Sequence, residues 1–257
     1  MVHRSVVDLL RGLRGGRDGL SPAQATAPSL ARFGPDFKLD HLSTIDIFRD
    51  LEPEILRWLE AHTTMVTARR GQHVYMPGET SEALFLLKTG RVRIYRLTAD
   101  GKKLVLSTLE PHTFFGDMPL AGQRMYGAYA EAVEDCFICV LGRADLERLI
   151  QTRPQVAIRL LDIIGRRLLE AESVIEDFAF KGVPARLATL LLRLSAGADD
   201  RELTDYTHQD LADMVGTYRE TATQTLDDFK RRSLVELGRK RIRILDPDEL
   251  KLIAGHR

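Results

Sequence analysis

From His41 to Ala61, apolar residues recur at helical spacing: Ile45, Ile47, Phe48, Leu51, Ile55, Leu56 and Leu59. That period predicts an amphipathic helix. The period then drops to two. Val92, Ile94 and Arg96 alternate with Arg91, Arg93 and Tyr95, and Val105, Ser107 and Leu109 alternate with Leu104, Leu106 and Thr108. Turn residues interrupt these runs at short intervals: Gly71, Pro77-Gly78, Gly90, Asp100-Gly101, Pro111 and Gly116. Many short strands so punctuated predict a β-sandwich or barrel-like roll, ending near residue 141. Residues 1–38 show little periodicity beyond a short basic amphipathic pattern around Val6 to Leu13, and carry Gly15-Gly16, Ser21-Pro22 and Gly34-Pro35. They read as a weakly ordered extension.

The helical period returns at Pro154, a good first-turn residue. Apolar residues fall at Ala157, Leu161, Ile164, Leu168, Ala171, Ile175 and Phe178, with spacings of 4, 3, 4, 3, 4 and 3. This is a heptad seam and predicts a parallel two-helix interface between copies of the chain. Its dimer-interface residues are Leu161, Ile164, Leu168, Ala171, Ile175 and Phe178. A second stripe, Ile158, Ile163 and Leu169, is expected to face the chain's own domain. Val183-Pro184 reads as a hinge. Leu187, Leu190, Leu191 and Leu194 then open another helix, followed by a loop of small and acidic residues from Ser195 to Asp205.

The most informative stretch follows. Thr207, with Asp210 three residues on, has the chemistry of a capping box, and Gly216 ends that short helix. Thr217 with Glu220 repeats the capping pattern and opens a second helix. Helix, tight glycine turn and helix is the arrangement that lays its second helix in the major groove. Leu234–Leu237, Gly238-Arg239-Lys240 and Arg241–Leu245 then read as a β hairpin, a wing. Arg219 suits guanine, Glu220 the cytosine amino group and Gln224 adenine.

Composition changes this picture in one place. Across 257 residues, 37 basic residues balance 37 acidic ones, which by itself does not favour a phosphate-binding protein. The charge is unevenly placed, however. Lys230, Arg231, Arg232, Arg239, Lys240, Arg241 and Arg243 face a single acid, Glu236, over the wing region. No run reaches the ~18 apolar residues of a membrane span. The N-terminus lacks a secretory signal, so a cytoplasmic location is expected. There is no nucleophile elbow, P-loop, HExxH or dinucleotide glycine pattern, and no enzymatic activity is expected.

Taken together, Arg167–Ala188, Gln209–Thr221 and Phe114–Met118 make the chain resemble the cyclic-AMP receptor protein and fumarate-nitrate regulator (CRP/FNR) family over about residues 40–250. The resemblance implies an α+β fold: an N-terminal double-stranded β-helix (a cupin-like, cyclic-nucleotide-binding-like β roll), a long dimerisation helix and a C-terminal winged helix-turn-helix. The expected divisions are 1–38, the extension; 39–150, the β-roll sensor domain; 151–181, the dimerisation helix and hinge; and 182–257, the DNA-binding domain. It implies a homodimer on double-stranded DNA carrying a TGTGA-like palindrome, with RNA polymerase as a further partner. Thr207, His208, Gln209, Thr217 and Tyr218 are expected near the DNA backbone, with Arg239 and Lys240 on the wing.

The effector pocket departs from the family pattern. Family members that bind cyclic AMP use a Gly-Glu pair and an Arg-Ser pair; here these are Gly116-Asp117, next to Met118, and Tyr126-Gly127. Adjacent hydroxyls toward the adenine are replaced by Ala171 and Glu172. Loss of the arginine removes a charge-assisted phosphate contact, so cyclic AMP is not expected; either another ligand uses the pocket or the protein binds DNA without one, and no cofactor is assigned. Cys136-Phe-Ile-Cys139 reads as strand, with the thiols on opposite faces, and neither a metal site nor a disulfide framework is expected. The contrasting reading is a ligand- or redox-sensing binding protein whose C-terminal domain serves protein contacts.

Overall fold

The computed structural model describes residues 5–6, 42–79, 83–116, 127–196 and 201–255. The chain forms two compact units. The first combines Met1–Arg96 with Ser107–Ile164, and the second combines Leu97–Leu106 with Gly165–Arg257.

In the first unit a 3-10 turn, Asp46–Phe48, precedes helix α1, Pro53–His62. The single helix predicted over 41–61 is therefore broken into pieces, with residues 42–44 helical ahead of the 3-10 turn and α1 after it. Pro53 starts a new helix because its missing N–H and fixed φ suit a first turn and break the preceding one. Among the described residues eight strands follow, the tips of β4 and β5 over Leu97–Leu106 counting with the second unit: β1 Thr63–Ala68, β2 His73–Tyr75, β3 Ala83–Thr89, β4 Val92–Leu97, β5 Lys103–Leu109, β6 Phe114–Gly116, β7 Tyr129–Ala132 and β8 Cys136–Gly142. They build two four-stranded sheets, ordered β1-β8-β3-β6 and β2-β7-β4-β5. The β roll was expected, and its strands explain their own composition. β3 and β8 are central in their sheet and buried on both faces. Ala83, Phe85 and Leu87 join the roll interior, whereas Leu84 and Leu86 join a second core with Phe48, Leu59, Leu146 and Leu149. A strand buried on both sides reads as a continuous apolar run, not as an alternation.

Helix α2 spans Arg143–Thr152 and α3 spans Pro154–Phe180. The long helix lies where the heptad seam predicts it. The stripe it turns to its own core differs from expectation. Val156 and Leu160 are buried, with Ile163 and Ile164 packed on the same core, while Ile158 and Leu169 are 59% and 67% exposed. Positions 156, 160, 163 and 164 share one helical face; 158 and 169 lie off it. Ile158 and Leu169 instead flank the open apolar face, where Leu161, Leu168 and Ile175 are 68%, 58% and 67% exposed.

The second unit holds α4 Val183–Ser195, β9 Glu202–Thr204, α5 His208–Val215, α6 Arg219–Arg231, β10 Val235–Gly238, β11 Arg241–Ile244 and α7 Pro247–Ile253. Val183-Pro184, read as a hinge, instead forms the first turn of α4, with Gly182 as N-cap. Proline is at home there, and the break with α3 falls at Lys181-Gly182. The Ser195–Asp205 loop also contains a strand. β9 pairs with β11, Leu203 opposite Ile242, and makes a three-stranded sheet ordered β10-β11-β9. Its core draws on Leu187, Leu191, Leu211, Leu226, Phe229 and Ile242.

Candidate nucleic-acid interface

The helix-turn-helix forms from local chemistry. The Thr207 side chain accepts from the Asp210 N–H at 3.1 Å, and the Asp210 carboxylate accepts from the Thr207 N–H at 3.0 Å. This reciprocal capping box satisfies donors the helix cannot pair itself. Gly216 closes α5 in the left-handed region, φ 63° and ψ 45°. A Cβ there would come within 2.7 Å of the Phe178 ring. Glycine is thus required both by backbone and by space.

The second capping box does not form. Thr217 is buried, and its N–H donates to the Ala212 carbonyl, 2.9 Å, in finishing α5. The N-cap of α6 is therefore Tyr218, which makes no side-chain capping bond. The tight turn uses Thr217 for the first helix and shifts the start of the second by one residue.

Helix α6 turns Ala222, Thr225, Leu226 and Phe229 into the core. Arg219, Glu220 and Gln224 are exposed on its other side. The spacing 219, 220, 224 keeps these three groups within one helical face. Arg219 and Glu220 make no hydrogen bond or ion pair with any described residue, so both heads are free to meet a ligand. His208 Nδ1 lies 3.0 Å from Thr223 Oγ1 and fixes α5 against α6; Gln209 donates to Asp213 at 2.6 Å. The Tyr218 ring is exposed, and Lys102 Nζ of the same unit stands 4.6 Å from its centroid.

The wing tip approaches this face. Arg219, Thr207, His208, Gln209, Gly238 and Lys240 line one cleft of about 460 Å³. Arg239 and Lys240 are exposed without a carboxylate partner among the described residues. Others in the basic cluster are already partnered: Arg231 with Asp228 at 2.9 Å, Arg232 with Glu249 at 2.7 Å and Arg241 with Glu236 at 3.6 Å. The cationic surface left for phosphate is smaller than the sequence count and concentrated at the tip. Thr223, missed by sequence reasoning, stands one helical turn after Arg219 and faces the same side; its signal was that spacing.

The seam residues Leu161, Leu168 and Ile175 are exposed, Ala171 likewise, and Ile164 is partly buried in its own core. Phe178 packs in its own unit, with the Arg186 guanidinium 4.6 Å from its ring centroid. Arg186 also donates to the carbonyls of Lys181 and Val215, at 2.8 and 3.2 Å, tying α4 to the end of α5.

Of the expected effector-pocket residues, Asp117, Met118 and Tyr126 lie outside the described residues. Gly116 ends β6 at φ 106°, and a Cβ there would meet the Phe85 ring at 2.5 Å. No described residue comes within 4 Å of a Cβ placed on Gly127; Ala171 and Glu172 are exposed on α3. Cys136 and Cys139 are both buried on β8, Cys136 in the roll interior and Cys139 in the helical core behind the sheet. Burial, then the nearby Glu134 carboxylate, push the Cys136 thiol up to about 12. A thiol so shifted is not a thiolate at neutral pH and reacts slowly.

Two family models match the chain: a cyclic nucleotide-binding domain over residues 65–153 and a Crp-like helix-turn-helix domain over residues 185–253. The cyclic AMP receptor protein of Thermus thermophilus is 30% identical over 208 residues, covering 81% of this chain and 96% of that protein. A CRP-like cAMP-activated global transcriptional regulator of Mycobacterium tuberculosis is 29% identical over 215 residues, with the same coverage, 81% and 96%. Among solved structures, a transcriptional regulator of the CRP/FNR family from Thermus thermophilus superposes with TM-score 0.62 at 28% identity, covering 75% of this chain and 98% of that one.

Proposed function

The chain belongs to the CRP/FNR family of DNA-binding transcription regulators, and on that premise we propose that it acts as a homodimer reading a TGTGA-like palindrome without control by cyclic AMP. One observation carries the reading. Arg219, Glu220 and Gln224 stand exposed on one face of α6, and Lys240 of the wing, next to the exposed Arg239, lines one cleft with Arg219. The helix face carries the donors and acceptors that discriminate base edges. The wing supplies charge to phosphate, which positions the protein without reading sequence. Thr207, His208, Gln209 and Tyr218 stand at the starts of the two helices and are assigned to the DNA backbone; Thr217, expected among them, is buried and leaves that set.

Homodimerisation is supported by the exposed Leu161, Leu168 and Ile175, seven residues apart on α3. A two-fold dimer presents two recognition helices to half-sites one helical turn apart, about 34 Å. Cyclic AMP independence is supported by the residue pairs at Gly116-Asp117, Tyr126-Gly127 and Ala171-Glu172, even though relatives carry cyclic AMP in their names. RNA polymerase is the further partner, with the acidic stretch Asp199–Asp205 as its contact; of that stretch 201–205 are described. No helix among the described residues is long and apolar enough to cross a membrane.

Selection of bound duplexes from a random library, using the full chain without nucleotide, tests the proposal. The expected product is an inverted repeat of TGTGA-like half-sites centred one helical turn apart. Enrichment of unrelated or unpaired sequences overturns the half-site assignment.

A further inference from the structure

Only two residues before Leu42 are described, and both are buried: Ser5 at 0% and Val6 at 1% exposure. Val6 lies in the interior of the β roll. Its cluster draws from both sheets: Phe85, Phe115 and Ile138 from one, Val74, Tyr75 and Ala130 from the other. Tyr75, Phe85 and Phe115 form a ring triad there, with centroids 5.3–6.3 Å apart. Ser5 Oγ donates to Glu79 Oε1 at 2.5 Å, while the other oxygen of that carboxylate accepts from the Met76 N–H at 2.9 Å. The segment is thus held by an aliphatic group in an apolar chamber and by a hydroxyl on a clasped carboxylate. This pairing of one apolar anchor with one directed polar contact is how small-molecule sites are built.

The chamber borders the expected effector pocket. Gly116 follows Phe115 in β6, and the Phe85 ring that bars a side chain at Gly116 belongs to the cluster around Val6. We propose that the N-terminal segment, through Ser5 and Val6, is a built-in occupant of the β roll, so that an external ligand enters only by displacing it. The chamber as built takes an aliphatic group carrying a hydroxyl donor for Glu79. Its carboxylate disfavours an anion such as a cyclic nucleotide phosphate. An occupant tethered to its own site acts at a high effective concentration. Competing ligands then bind with an affinity reduced by the fraction of molecules in which the segment is out. The proposal rests on the geometry of the roll alone and stands apart from the DNA reading.

Thiol protection in the full chain tests it. The native Cys136 and Cys139 are buried, so the unaltered protein gives the background. Val6→Cys is nearly volume-conserving; Leu252→Cys, at a site 66% exposed, is the open control. Iodoacetamide is expected to label Val6→Cys at least about 100-fold more slowly than the control, as local opening must precede reaction. A second variant, Val6→Asp, is expected to expel the segment. The roll interior then opens to the uncharged dye N-phenyl-1-naphthylamine, which gains fluorescence over the unaltered protein. Labelling of Val6→Cys within a few-fold of the control overturns the proposal. So does a Val6→Asp protein with unchanged dye fluorescence and an unchanged melting temperature.

Discussion

Leu168→Ala isolates the contribution of α3 to dimerisation. Leu168 is 58% exposed in the single chain, midway between Leu161 and Ile175 on the same face. Full burial of a leucine side chain is worth about 1.5–3 kcal/mol. The share left open is therefore worth about 1–1.7 kcal/mol per protomer, and about 2–3 kcal/mol when both copies are covered across a two-fold interface. Truncation to alanine removes most of that. At 1.4 kcal/mol per factor of ten, the dimer dissociation constant rises about 30- to 100-fold. Alanine is the best helix former, so the helix itself does not suffer. Sedimentation equilibrium over a dilution series reads the constant, and circular dichroism checks that helix content is retained. A shift below about threefold, or unaltered protein that sediments as a monomer at micromolar concentration, refutes the reasoning.

Arg219→Ala is expected to weaken binding to the cognate duplex by about 1–3 kcal/mol and relax discrimination at one base pair, read by competition with single-base variants. Lys240→Ala is expected to weaken binding to all sequences alike and to reduce the slope of log K against log salt by about 1. Thr207→Ala removes the capping box of α5 and should cost about 1 kcal/mol in denaturant unfolding, since the Asp210 N–H loses its acceptor. The Cys136 thiol is held up to about 12 in the fold against an ordinary value of 9.0. The folded state keeps that proton longer than the unfolded state, so its contribution to stability is complete below pH 9 and is lost as pH rises from 9 toward 12. Cys136→Ala should flatten the fall in melting temperature over that window; an unchanged profile contradicts the shift.

Much of the second unit could be read from the chain because its signals are local. Thr207, Asp210 and Gly216 specify a cap and a stop within ten residues, and the basic turn at Arg239-Lys240 marks the wing tip. The errors arose where tertiary contacts override a local pattern. Thr217 and Glu220 have the capping chemistry, but the tight turn had already engaged the Thr217 N–H. β9 was hidden in an acidic loop because its pairing partner, β11, is distant in sequence. In the roll, β3 and β8 lack alternation because they serve two cores at once. On α3 the seven-residue repeat was legible, but which second stripe faces inward depended on where the roll's helical layer stands. The amphipathic pattern from Val6 to Leu13 did not say that Ser5 and Val6 are buried; their burial is a property of the roll that receives them.

The central claim is tested most directly by titrating the full chain onto a labelled duplex carrying TGTGA-N6-TCACA and onto a scrambled duplex, at two salt concentrations, with and without cyclic AMP. Tight binding to the palindrome alone, weakening steeply with salt and unchanged by cyclic AMP, is the predicted result. Equal binding to both duplexes in every condition, or binding to the palindrome only when cyclic AMP is present, contradicts it.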